Sequence, residues 1–185
     1  MPRPIAPRLI AFLRAINVGG HVVTMARLRE EFEALRFTEV ETFIASGNVI
    51  FSTRSTDTAA LGKKIEARLR KALGYEVATF IRSGAEIAAV AGYQAFAPAR
   101  VKTARAYSVG FLAAPLDAPR VKQLMSFKSE IDDFHTNQRE IYWLCAKGQS
   151  DSTFTNAGME RALKTRATFR GINTVVRLAA KHGPA

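Results

Sequence analysis

Leu9-Ile10-Ala11-Phe12-Leu13-Arg14-Ala15-Ile16-Asn17-Val18-Gly19-Gly20-His21 is the stretch on which the first half of the chain turns. Its apolar run, Leu9 to Leu13, has the character of a strand buried in a sheet rather than one alternating with solvent. Beyond it, Met25, Leu28, Phe32 and Leu35 recur at helical spacing, and Thr24 is placed to cap that helix. The chain's one adjacent glycine pair, Gly19-Gly20, lies between the two patterns. A strand that ends in a glycine turn and feeds a helix brings backbone N–H groups to a place where an anion can sit.

Downstream, Glu39–Ala45 alternates, Ser46-Gly47-Asn48 interrupts, and Val49-Ile50-Phe51 resumes, which is the signature of a hairpin. Asp57 opens a helix with Leu61, Ile65, Leu69 and Leu73 on one face and Gly74 as its stop. Glu76–Arg82 follows as a strand, and Ser83 caps a short helix running to about Gly92. The order strand, helix, strand, strand, helix, strand is that of the split βαβ, or ferredoxin-like, unit.

Tyr93–Thr103, with Pro98 and small residues, reads as a linker, after which the order recurs. Arg105–Ala113 is a strand, and Asp117-Ala118-Pro119 starts a helix. Asp133–Asn137 and Glu140–Ala146 form a second hairpin. A helix over Ser152–Leu163, a short strand over Ala167–Arg170 and a last helix over Ile172–Ala180 complete the half. The expected fold is α+β: two tandem ferredoxin-like units (βαββαβ, alpha-beta plaits) with extra helices. Their expected bounds are residues 1–93 and 105–185, joined by a linker over 94–104.

Nearly half the 185 residues are apolar and 23% are charged, the balance of a globular domain rather than a disordered chain. No apolar run reaches the roughly 18 residues of a membrane helix. The N-terminus lacks a signal-peptide core, so a cytoplasmic protein is expected. Cys145, the single cysteine, lies in an apolar run and reads as a core thiol. The net charge of +11 is uneven, because the last 25 residues carry six cations and no acid. Such a segment attracts phosphates, or is simply a solvated basic face.

Phe12-Leu13-Arg14-Ala15-Ile16-Asn17-Val18-Gly19-Gly20 and Ser46-Gly47-Asn48-Val49-Ile50-Phe51 resemble the LRGINVGG-like and SGNVVF-like runs of the bacterial domain-of-unknown-function 1697 family. Ala15 stands where that pattern has glycine. Thr168–Val175 is similar to the family's T-x-RNWxTV segment, but Gly171 and Ile172 replace its Asn-Trp pair. The resemblance implies a pair of ferredoxin-like plaits and no established activity.

Candidate ligand-binding residues fall in three places. Arg14, Asn17, Gly19, Gly20 and His21 form the glycine loop, with Arg14 offering a bidentate anion contact. The plain alternative is that the glycines satisfy a tight turn and Asn17 bonds the loop backbone. Ser46 and Asn48 mark the hairpin turn. That turn is expected at the sheet end opposite the carboxyl end of strand one, so it would reach the glycine loop only through a bulge or the second unit's surface. Arg170, Asn173 and Arg177 gather at the start of the last helix, where the dipole favours anions. His21, His135 and His182 have no metal-ligand spacing, so no metal is expected, and standard nucleotide loops are absent. Ser46 has no histidine near it in sequence, so no nucleophile, reaction or cofactor is assigned. The leading expectation is a small anionic ligand, bearing phosphate or carboxylate, at the glycine loop or between the two units. Nucleic acid held by the basic surface is one alternative. A non-catalytic interaction protein is another.

Overall fold

Strand β1 (Arg8–Leu13) is buried from Leu9 onward on both faces, which is why its sequence is continuously apolar. It is central in a four-stranded antiparallel sheet of order β2-β3-β1-β4. Its neighbours are β3 (Asn48–Ser52), also buried throughout, and β4 (Thr79–Ser83). The edge strand β2 (Thr38–Phe43) is only partly covered and keeps the alternating, charged pattern. The computed structural model describes residues 7–184.

Helix α1 (Met25–Glu33) starts where Thr24 Oγ1 accepts the Arg27 N–H at 3.1 Å. Helix α2 (Thr58–Leu73) is capped by Asp57 and ends at Gly74, in the left-handed region at φ 83°. Both pack Leu28, Phe32, Leu61, Ile65 and Leu69 against Leu9, Ala11, Leu13, Val49 and Phe51. Glu31 is buried in α1, with its carboxylate held by Arg27 and Arg68. Ser83 and Glu86 form a reciprocal capping box at the head of α3 (Gly84–Gly92).

The second sheet has the order β6-β7-β5-β8, again fully antiparallel. Its strands are β5 (Ala106–Leu112), β6 (Asp132–Asn137), β7 (Glu140–Cys145) and β8 (Ala167–Gly171). Helices α5 (Ala118–Met125) and α6 (Asn156–Leu163) cover one face. Phe134, Trp143, Phe154, Met159 and Leu163 form that core, with Cys145 fully buried in it. Helix α7 (Ile172–His182) is the last element among the described residues.

Contacts divide the chain into two compact units, the first running to Ile87 and taking in His182, the second spanning Ala88–Lys181. Two four-stranded antiparallel sheets, each with this strand order, fit two ferredoxin-like units. The segment read as a linker is not a plain one. Pro98–Thr103 forms helix α4, with proline in its first turn, where its missing N–H costs nothing.

Candidate functional site at one end of the first sheet

Antiparallel pairing decides what meets the glycine loop. Phe12, near the end of β1, pairs with Asn48, the first residue of β3, so the β2–β3 turn lies beside the carboxyl end of β1. This overturns the expectation that the turn occupies the opposite end of the sheet. Leu13 N–H donates to the Gly47 carbonyl at 2.8 Å. A Cβ on Gly47 would come within 3.1 Å of Ile16 and 3.2 Å of Leu13. On the other side of β1, Arg14 N–H donates to the Ala78 carbonyl at 2.8 Å. Three segments thus converge: the loop over residues 14–24, the turn over 44–47, and the connection over 74–78.

Asn17 ties them. Its Oδ1 accepts the Val23 N–H at 2.6 Å, closing its own loop, and its Nδ2 donates to the Ala45 carbonyl at 3.2 Å, bridging to the turn. Both polar atoms of the amide are therefore engaged with backbone, and Asn17 positions the site. Asn48 is fully buried, with Nδ2 donating to the Phe43 carbonyl and to Ser46 Oγ at 2.9 and 2.8 Å. It builds the turn from beneath and is not a surface contact. His21 is exposed but anchored, its ring stacked on Tyr75 with centroids 3.9 Å apart. Tyr75 escaped the sequence reading because nothing local links it to residue 21. Burial raises its pKa, and its hydroxyl is enclosed without a hydrogen-bond partner.

The backbone here is strained. Ala15, Asn17 and Ile44 join Gly19, Gly20 and Gly47 at positive φ, and for a β-branched residue such as Ile44 that conformation is costly. Gly19 and Gly20 are exposed, and among the described residues nothing accepts their N–H groups. Arg14 is half-buried at the start of the same loop.

The C-terminal candidates do not form one surface. Arg170 lies within β8 rather than at the helix start, 8% exposed, its Nη1 donating to Thr168 Oγ1 at 2.8 Å and to the Phe169 carbonyl at 2.9 Å. Burial pushes its pKa down to about 10, so it remains a cation at neutral pH. Asn173 and Arg177 are exposed on α7.

The second unit holds a cavity of about 300 Å3. Arg100 and Lys128 each reach Asp133 at 2.7 Å. Buried Asp132 accepts from Trp143 Nε1, Ser129 Oγ and Ser152 Oγ at 2.8, 3.0 and 2.7 Å. With Glu130 also in the wall, two cations face three carboxylates, so this cavity has no preference for an anion. Elsewhere in the second unit, Tyr93 and Phe96 lie against Tyr142 and Tyr107, and Tyr93 Oη meets His135 Nε2 at 2.8 Å. These rings pack on one another, and Tyr142 is fully buried. No group of three or more metal-ligating side chains occurs among the described residues, and no described helix is long and apolar enough to cross a membrane.

A family model described as "Protein of unknown function (DUF1697)" matches residues 7–142. The chain belongs to that family. The matched region holds the glycine loop and the Ser46-Gly47-Asn48 turn, whereas the Thr168–Val175 segment lies beyond it. Among solved structures, the chain is similar to a conserved bacterial protein, SP0830, from Streptococcus pneumoniae. The TM-score is 0.75 at 23% identity, covering 95% of this chain and 98% of the other. That likeness establishes the fold alone. Comparison with curated proteins gives no match.

Proposed function

We propose that this DUF1697 protein binds a small anion, a phosphate or carboxylate group, at the end of its first sheet, and that its two sheets are tandem ferredoxin-like plaits. The convergence of the glycine loop with the Ser46-Gly47 turn supports the binding reading most directly, because one asparagine holds both in place. Arg14 supplies charge at the loop's first position, and the free N–H groups of Gly19 and Gly20 supply donors. Strained backbone that the surrounding structure holds in place is a common mark of ligand sites, since a preformed loop loses little entropy on binding.

Thermal shift with inorganic phosphate, phosphate esters and dicarboxylates tests this. A ligand at 100 times its dissociation constant adds about 2.7 kcal/mol, a shift of several degrees. Arg14→Ala keeps the backbone bond to Ala78 and is expected to abolish the shift, while Arg177→Ala keeps it. Equal shifts in the parent and in Arg14→Ala would overturn the reading.

A further inference from the structure

The ends of the loops that Asn17 ties together are apolar and open to solvent. Val18 is 54% exposed, Val22 86% and Ile44 42%. They are three of the four large exposed hydrophobics among the described residues. Each is adjacent in sequence to Asn17 or to one of its two partners, Val23 and Ala45. Isolated exposed aliphatic residues need no explanation, but three gathered around one amide form a patch. Ile44 sharpens the point. It holds an apolar β-branched side chain outward from a left-handed turn position that glycine or asparagine would fill at lower cost.

Two of the three converging segments bring no acid to this patch. Residues 14–24 contribute the cation Arg14, and neither that loop nor the turn over 44–47 carries an acid. The third segment brings Glu76, which lies 3.8 Å from Arg70.

We propose that the anion taken here is amphipathic: a carboxylate or phosphate monoester whose aliphatic chain lies on Val18, Val22 and Ile44. This rests on the anion-binding reading above and adds the chemistry of the ligand's other end. The charged head goes to Arg14 and the glycine N–H groups, and the tail covers aliphatic surface that water now contacts.

Straight-chain carboxylates from acetate to octanoate, and the matching alcohols, titrated into the full chain by calorimetry test the assignment. Affinity is expected to rise about twofold to fourfold per added methylene, the range for partial to full burial of a CH2 group. Alcohols are expected to bind at least about tenfold more weakly than acids, one charge-assisted contact being worth that much. In the double variant Val18→Ser/Val22→Ser, both sites being exposed, the chain-length dependence flattens while acetate and inorganic phosphate bind as before. Acids that bind without chain-length dependence would overturn this inference and leave the anion reading standing. Failure of phosphate and every acid to bind would remove that reading, and this one with it. Alcohols equal to acids, or a chain-length dependence unchanged in the double variant, would also overturn the inference. So would a dimer seen by sedimentation that the double variant abolishes, because the patch would then belong to a second copy of the chain.

Discussion

Ala15 sits at φ 60°, in the left-handed region that side chains with a Cβ enter only at a cost. The family pattern places glycine there, and the dihedral angle gives the reason. Ala15→Gly is therefore expected to raise stability by about 0.5–1 kcal/mol, the strain relieved exceeding the added freedom of the unfolded chain. Thermal unfolding would show a higher midpoint, and an unchanged or lower one would mean the loop already absorbs the strain. Gly47 is the converse case. It combines φ 74° with neighbours 3.1 and 3.2 Å from where a Cβ would lie, so a side chain there is both strained and crowded. Glycines and asparagines at such positions are legible in sequence because residue type limits φ. The Tyr75 ring under His21 is not, because it depends on two loops brought together by β1 and β4.

Among the elements, Thr24, Asp57, Gly74, Ser83 and Asp117 act where their chemistry places them, whereas the helix expected from Ser152 begins only at Asn156, capped by Thr155. Pro98 reads as a linker residue by composition, but proline is as much at home in the first turn of a helix, and that is where it sits. The position of the β2–β3 turn was misjudged for a different reason. Element order was legible, but the end of the sheet a turn occupies depends on the direction of the neighbouring strand. In the second sheet, Gly110 faces Phe169 across the β5–β8 pair, and a Cβ there would lie 2.6 Å from the ring. Gly110→Ala is expected to cost about 1–3 kcal/mol by overpacking, and Phe169→Leu in the same chain to recover part of it. Denaturant midpoints of the single and double variants measure the coupling.

Charge in the second unit gives a pH test. Burial raises the Asp133 pKa, but hydrogen bonds from Lys128 and Arg100 outweigh it and hold the group below its usual 3.8. A carboxylate depressed in the folded state contributes stability above its unfolded value and loses it as pH falls through the folded one. Asp133→Asn should thus cost up to about 1 kcal/mol at neutral pH, with the partners' exposure limiting the size. The gap from the parent closes as the solution is acidified below about 3.8. A gap constant with pH would mean that the lost contacts are not ionic.

Across the whole molecule, His182 belongs with the first unit although α7 lies almost wholly in the second. A Cβ on Gly84 would fall 2.1 Å from the His182 carbonyl oxygen, backbone against backbone, with no flexible side chain to yield. Gly84→Ala is expected to displace the end of α7, lowering the melting temperature and speeding hydrogen exchange there. Exchange unchanged at residues 178–183 would refute it. No spacing rule links residues 84 and 182, so this contact was beyond the sequence, whereas the order of strands and helices was within it.

Trp143 is the chain's single tryptophan, 7% exposed, with its indole N–H on Asp132. Intrinsic fluorescence excited at the indole band therefore reports on the second unit only, while circular dichroism sums over both. If denaturation curves from the two signals coincide, the units unfold as one cooperative body; if the dichroism curve has a limb that the emission lacks, that limb belongs to the first unit.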